Sequence, residues 1–340
     1  MQQRPLGRSG LAVSRLALGT MTWGRDTDPD DAAAQLKVYL EAGGTTIDTA
    51  DVYGDGDAES VIGSLLDHLV PRDEVVLATK AGLTPHGYRR RDGSRGNLLR
   101  SLDASLRRLG TDYVDLWQVH GYDAATPLEE TLAALDHAVT SGRVRYVGVS
   151  NFAAWQTARA ATWQAAYPGR APIVAAQMEY SLLERGIERE LLPAAAALGF
   201  GVLAWSPLGR GVLTGKYRNG RPLDSRAATE HLAPFVQTYL EPRSSSIVQA
   251  VVTAAAGLGI SPLEVAIAWV RDRPGVAAAI LGARTAGQLQ GALQSEELTL
   301  PAEIAAALDD VSAIDLGYPE REGVGYPGPE GGEPSISGAY

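Results

Sequence analysis

The sequence predicts an α/β chain closed into a (β/α)8 barrel, and three observations carry that prediction. Eight short apolar runs recur along the 340 residues, each with a helix-like segment available after it. Runs such as VAAAIL at 276–281 lack polar alternation, as parallel strands covered on both faces should. No G-x-G-x-x-G turn follows the first strand, which ends Gly19-Thr20-Met21-Thr22-Trp23-Gly24; that sets aside an open, doubly wound dinucleotide-binding sheet.

A hairpin comes first. Residues 2–14, turning around Gly7-Arg8-Ser9-Gly10, read as two antiparallel strands placed to plug the barrel bottom. LALGT (16–20) then leads to a helix near 30–42 that ends in Gly43-Gly44. TTIDT (45–49) precedes a helix near 58–69, and VVLATK (75–80) precedes one near 97–109. VDLWQVH (114–120) is followed by a helix near 127–141, and YVGVSN (146–151) by one near 153–166. IVAAQM (173–178), GVLAWSP (201–207) and VAAAILG (276–282) complete the strands.

Helix punctuation agrees. Thr126-Pro127 before Glu129 and Glu130 reads as an N-cap, a proline at the first helical position and acids in the first turn, and Ser261-Pro262 before Glu264 repeats it. Leu109-Gly110 and Ser141-Gly142 read as C-terminal stops. The connection from 208 to 243 exceeds a plain loop and is expected to form a functional lid. Residues 1–316 are assigned to one barrel domain. Residues 317–340, with 7 Gly and 4 Pro among 24, form a tail whose composition resists packing.

Composition narrows the function. Hydrophobic residues make up 45% and charged residues 21%, enough to bury a large core. With 40 acidic against 30 basic residues the net charge is −10, which argues against general affinity for nucleic acid or an anionic membrane. Cysteine is absent, excluding disulfides and thiolate metal sites. No apolar run approaches the ~20 residues that span a bilayer, and a cytoplasmic location is expected. The five histidines, at 68, 86, 120, 137 and 231, include no close pair with ligand spacing, and no metal is expected.

Asp48, Lys80 and His120 close three successive strands, and Tyr53 lies just past the first of these. In a barrel of this type the C-terminal strand ends face the active site, so the four belong to one rim. An unperturbed phenol titrates near about 10 and needs tuning to exchange protons at neutral pH. The Lys80 ammonium is expected to lower that pKa, with Asp48 keeping Lys80 charged and oriented. A neutral His120 donates a hydrogen bond that positions a substrate carbonyl. Singly, each residue also reads as an ion pair, a turn residue or a core histidine; together, on one rim, they read as a catalytic set.

The chain resembles the aldo-keto reductases. The matching stretches are LALGTMTWG, TTIDTADVYGDGDAE, LATKAG, LGTDYVDLWQVH, GRVRYVGVSNF, AAQMEYSLL, AWSPLGRGVLTGKY and ILGART, spread from about residue 5 to 319. The resemblance implies Asp48, Tyr53, Lys80 and His120 as a tetrad with Tyr53 the general acid, and hydride transfer from NADPH to an aldehyde or ketone. It further implies that Ser150, Asn151 and Gln177 hold the nicotinamide amide and that Trp205 stacks on the ring, with Gly19, Thr20 and Met21 lining the same end. Ser206, Pro207, Leu208, Gly211 and Lys216 follow the pyrophosphate, Arg226 clasps the cofactor from the long loop, and Gly282, Arg284 and Gln288 surround the adenosine phosphate. Relatives usually carry an acid and an asparagine against adenine, where this chain has Gly291 and Ala292. The resemblance extends to potassium-channel β subunits, so a cofactor-binding regulatory subunit is the alternative.

Substrate is expected against Trp23, Tyr53, Tyr88, His120 and Tyr122, beside Trp205. The run Tyr88-Arg89-Arg90-Arg91 follows strand three and so lies on the active-site side. A solvated loop is its first reading and attraction of an anionic substrate its second.

Overall fold

The computed structural model describes residues 1–319 except 219, 223, 224 and 231, with residue 226 by its backbone only. The tail expected over 317–340 thus lies outside the described residues from 320 onward. The hairpin forms from β1 (Gln3–Pro5) and β2 (Ala12–Ser14), paired antiparallel with Gln3 opposite Ser14. Eight parallel strands follow: β3 (Leu16–Gly19), β4 (Thr46–Asp48), β5 (Val76–Ala81), β6 (Val114–Val119), β7 (Val144–Ser150), β8 (Ile173–Glu179), β9 (Gly201–Trp205) and β10 (Val276–Gly282). Each pairs with its sequence neighbours, and β10 returns to β3 to close the barrel.

The outer layer comprises α1 (Pro29–Glu41), α2 (Asp57–Leu65), α3 (Arg95–Leu109), α4 (Leu128–Thr140), α5 (Ala154–Ala165) and α6 (Leu191–Leu198). After β9 the chain passes through a short helix α7 (Ala233–Gln237) before α8 (Pro242–Leu258) and α9 (Pro262–Arg271); α10 (Ala286–Leu293) and α11 (Ala302–Val311) follow β10. Among the described residues no single helix is long and apolar enough to cross a membrane. The Ser261 hydroxyl accepts from Glu264 N while the Glu264 carboxylate accepts from Ser261 N, a complete capping box with Pro262 at the first position. Gly110 takes the left-handed conformation that ends α3. At α4 the expectation shifts by one residue. Pro127 itself occupies the cap position, because the Thr126 hydroxyl donates to Asp123 Oδ2 at 2.6 Å instead of capping the helix.

Two apolar layers result. One lies between strands and helices and includes Leu18, Ile47, Leu77, Trp117 and Val147. The other fills the lumen with Ala17, Ala78, Leu116, Val174, Leu203 and Ala278, closed from below by Leu6, Leu11 and Val13 of the hairpin. Gly7 makes that closure possible: with φ at 59°, its missing Cβ would stand 2.4 Å from the Gly199 carbonyl oxygen.

Candidate active site

Strand alternation gathers the quartet. Leu77 and Ala81 face the helices while Val76 and Ala78 face the lumen, so Lys80 rises on the lumen side one step above Ala78. The same parity sets His120 above Leu116, and Asp48 opposite the outward Ile47. The Lys80 ammonium, fully buried, donates to Asp48 Oδ2 at 2.7 Å, to the Thr49 carbonyl at 2.7 Å and to Tyr53 Oη at 3.3 Å. Gln177 Nε2 donates to the other Asp48 oxygen at 2.7 Å, so both carboxylate oxygens are satisfied, as a buried carboxylate requires. The Tyr53 ring stands edge-on to His120, centroids 5.9 Å apart.

Electrostatics assign the resting protonation. Burial tends to discharge Lys80, but the charges and hydrogen bonds of Asp48 and Tyr53 outweigh it and raise its pKa. Burial, followed by Lys80 and Arg91, holds His120 well below its ordinary 6.5, hence neutral. Its Nδ1 is buried without a hydrogen-bond partner among the described residues, leaving Nε2 as the nitrogen available to the cleft. For Tyr53 the net direction differs from the sequence expectation. Lys80 does lower the phenol's pKa, but desolvation is larger and the net shift is upward. The resting group is therefore a protonated phenol beside an ammonium, which suits a proton donor.

The quartet lies at a cleft of about 540 Å³. Gly19, Thr20, Met21, Ser150, Asn151, Gln177, Trp205, Ser206, Pro207, Leu208, Gly211, Lys216, Gly282, Arg284 and Gln288 line it together with Asp48, Tyr53 and His120. Asn151 is a hub, held at φ 56°, a conformation sparsely used outside glycine. Its amide donates to the His120 carbonyl at 3.1 Å and to Ser150 Oγ at 3.0 Å, and its Oδ1 accepts the Trp205 indole N–H at 3.1 Å. After Trp205 the chain turns through left-handed residues at Ser206, Gly209, Arg210 and Gly211. Lys216 Nζ lies 3.5 Å from where a Cβ on Gly211 would stand.

Other expected contacts fall elsewhere. Trp23 is fully buried beneath α1 with its indole N–H donated to Gln35 at 3.2 Å, so it stiffens the rim and does not line the cleft. Tyr88 is wholly exposed at the tip of its loop. Tyr122 packs edge-on against Phe152 and Trp155, away from the cleft. The side chain of Arg226 lies outside the described residues. Val52, Leu83, Arg210 and Phe235 take the vacated places. Leu83 and Val52 each follow a strand end on the correct rim, a signal present in the sequence. Phe235 rides on α7, whose placement no local pattern reveals.

Comparison with known proteins identifies the family. The model of the aldo/keto reductase family matches residues 15–313. The chain is 37% identical to the uncharacterized oxidoreductase YrpG of Bacillus subtilis, covering 98% of each chain. It is 35% identical to a probable voltage-gated potassium channel subunit beta of Oryza sativa, over 94% of this chain and 98% of the relative. It is also 35% identical to L-glyceraldehyde 3-phosphate reductase of Escherichia coli K12, over 91% and 92%. The chain belongs to the aldo/keto reductase family of oxidoreductases.

Proposed function

We propose that the protein reduces an aldehyde or ketone to the alcohol with NADPH, Tyr53 acting as general acid. The observation that carries this reading is the Lys80 ammonium, which joins the Asp48 carboxylate at 2.7 Å to the Tyr53 hydroxyl at 3.3 Å beside a neutral His120. When bound, NADPH supplies the hydride. His120 Nε2 donates a hydrogen bond to the carbonyl oxygen and orients it. During reduction Tyr53 would pass its phenolic proton to that oxygen. Lys80 stabilises the phenolate that remains, and Asp48 keeps Lys80 in place.

The donor set fits the cofactor. Trp205, braced by Asn151, offers a flat face for the nicotinamide, and Ser150 and Gln177 flank its amide. The second lone pair of Asn151 Oδ1 is still available to that amide. The left-handed turn from Ser206 to Gly211, with Lys216 over it, would form a cradle for pyrophosphate. Arg284, lining the cleft with Gly282 and Gln288, would meet an adenosine 2′-phosphate, which would favour NADPH over NADH. Ala292 and Leu263 give this cleft apolar walls of its own.

The test is NADPH consumption across a panel of carbonyl compounds. Turnover lost in Tyr53→Phe with NADPH binding retained supports the reading; turnover that survives the substitution overturns it. Equal kcat/KM for NADH and NADPH overturns the cofactor preference. Tight NADPH binding with no turnover of any carbonyl favours a second reading, a cofactor-binding regulatory subunit, which the likeness to proteins named as channel β subunits supports.

A further inference from the structure

We propose that Arg91 binds the anionic end of the substrate, so that the preferred substrates are carbonyl compounds carrying a carboxylate or phosphate. The proposal rests on the carbonyl-reductase reading and names the substrate class of that site. Arg91 sits at the base of the loop after β5, bridged to the cleft-lining Leu83. Its side chain lies along Gly121, the residue after His120: a Cβ there would stand 2.9 Å from Arg91 Nε and 3.5 Å from its guanidinium carbon. The cation thus lies solvent-exposed at the rim of the cleft, between Leu83 and His120, and its charge reaches His120, whose pKa it helps to lower.

The loop holds Arg91 in place and leaves its charge uncommitted. Thr84 N donates to the Arg90 carbonyl at 3.0 Å and Asp92 N to the Gly82 carbonyl at 2.9 Å, closing the loop on either side of Arg91. Asp123 anchors it further, accepting from Gly93 N and from Arg89. Arg89 is occupied by Asp92 and Asp123 at 2.8 and 3.3 Å. Arg91 makes no side-chain hydrogen bond or ion pair among the described residues, although the chain carries 40 acidic residues. The other cation in this part of the site, Lys80, is neutralised by Asp48. An anion tethered to a carbonyl held at His120 therefore meets one available guanidinium, with bidentate geometry suited to carboxylate and phosphate.

The experiment compares substrates that differ only in charge: benzaldehyde with 4-carboxybenzaldehyde, and glyceraldehyde with glyceraldehyde 3-phosphate. The wild-type protein is expected to favour the anionic member of at least one pair, and which pair separates carboxylate from phosphate. Arg91→Gln is expected to lower the anionic-to-neutral ratio of kcat/KM by about tenfold or more, through KM, as loss of a charge-assisted contact predicts. Added salt narrows the wild-type preference. Arg90→Gln removes the same charge from the same loop at a residue that does not touch Gly121, and it leaves the ratio unchanged. No anionic preference in the wild type, an equal change in both members, or an equal effect of Arg90→Gln overturns the proposal. If no carbonyl of either charge is reduced, the reductase reading fails instead. Arg91 is then read by calorimetry with succinate against succinamide: weaker succinate binding in Arg91→Gln supports the site, and unaltered binding overturns it.

Discussion

Arg210 grips both carboxylate oxygens of Glu179, at 2.8 and 2.6 Å, from a backbone held at φ 59°. The same guanidinium donates to the Phe235 carbonyl at 2.7 Å and lies 4.0 Å from the Phe235 ring centre, while Tyr239 donates its hydroxyl to Glu179. One ion pair at the end of β8 therefore fixes α7, and with it the Phe235 ring that stands near-parallel to Trp205 in the cleft wall.

Arg210→Ala leaves Glu179 without its cation and frees α7. We expect a stability loss of about 2 kcal/mol, below the range for fully buried pairs because both side chains keep some solvent contact. Limited proteolysis should then cut first within 208–243. An unchanged melting temperature and cleavage pattern would refute this account of the segment.

Lys80 and Asp48 should show strong coupling. Lys80→Met strands a buried carboxylate, at a cost of about 3–5 kcal/mol. The double variant with Asp48→Asn should recover more than half of that, since neither charge then remains. Urea unfolding of the four proteins in the cycle gives the coupling; additive losses would show that the pair does not act as a unit.

Asp51 makes the fold sensitive to pH. Burial, then the neighbouring Glu59 carboxylate, pushes its carboxyl from 3.8 up to about 7, against the pull of Arg108 and Lys80. Between those values the native protein keeps a proton that the unfolded chain has released, so stability falls as pH climbs from about 4 to about 7. Asp51→Asn should flatten that part of the profile and gain about 2 kcal/mol at pH 8, a figure reduced for partial solvent access. Urea midpoints across the range provide the measurement, and parallel profiles for the two proteins would count against it.

His120, held neutral well below 6.5, should keep kcat/KM level as the pH falls through 6.5. Its depressed pKa contributes stability that is present above 6.5 and is lost as pH falls toward the folded value. An ionisation limb near 6.5 that disappears in His120→Gln would contradict the assignment, as would a direct NMR titration at that pH.

The rim residues were legible because strand parity is a local property. Once eight strands are counted, Asp48, Lys80 and His120 fall on one face and one end, and the structure keeps them there. The stretch after Trp205 and the Ser150-Asn151 pair followed from motif likeness, whereas the left-handed backbone of that stretch came only with the structure. Trp23 misled because it follows the first strand on the correct rim, yet its ring turns down to Gln35 under α1. Tyr122 misled similarly, drawn off by Phe152 and Trp155. Aromatic rings go where they bury most area, and sequence position at a rim does not decide that.

By itself, the sequence determined the barrel, its plugging hairpin and which polar residues stand at three strand ends, because apolar periodicity and strand alternation are written residue by residue. The tertiary structure decided the balance of forces on those groups. Desolvation prevails over Lys80 at Tyr53 and leaves a protonated phenol; Asp48 and Tyr53 prevail over desolvation at Lys80 and leave an ammonium. It also decided which cations are committed, setting Arg210 on Glu179 and Arg89 on Asp123, while Arg91 lies along Gly121 with no ion pair among the described residues. Burial and charge pairing depend on distances between segments far apart in the chain, and only the closed barrel sets those distances.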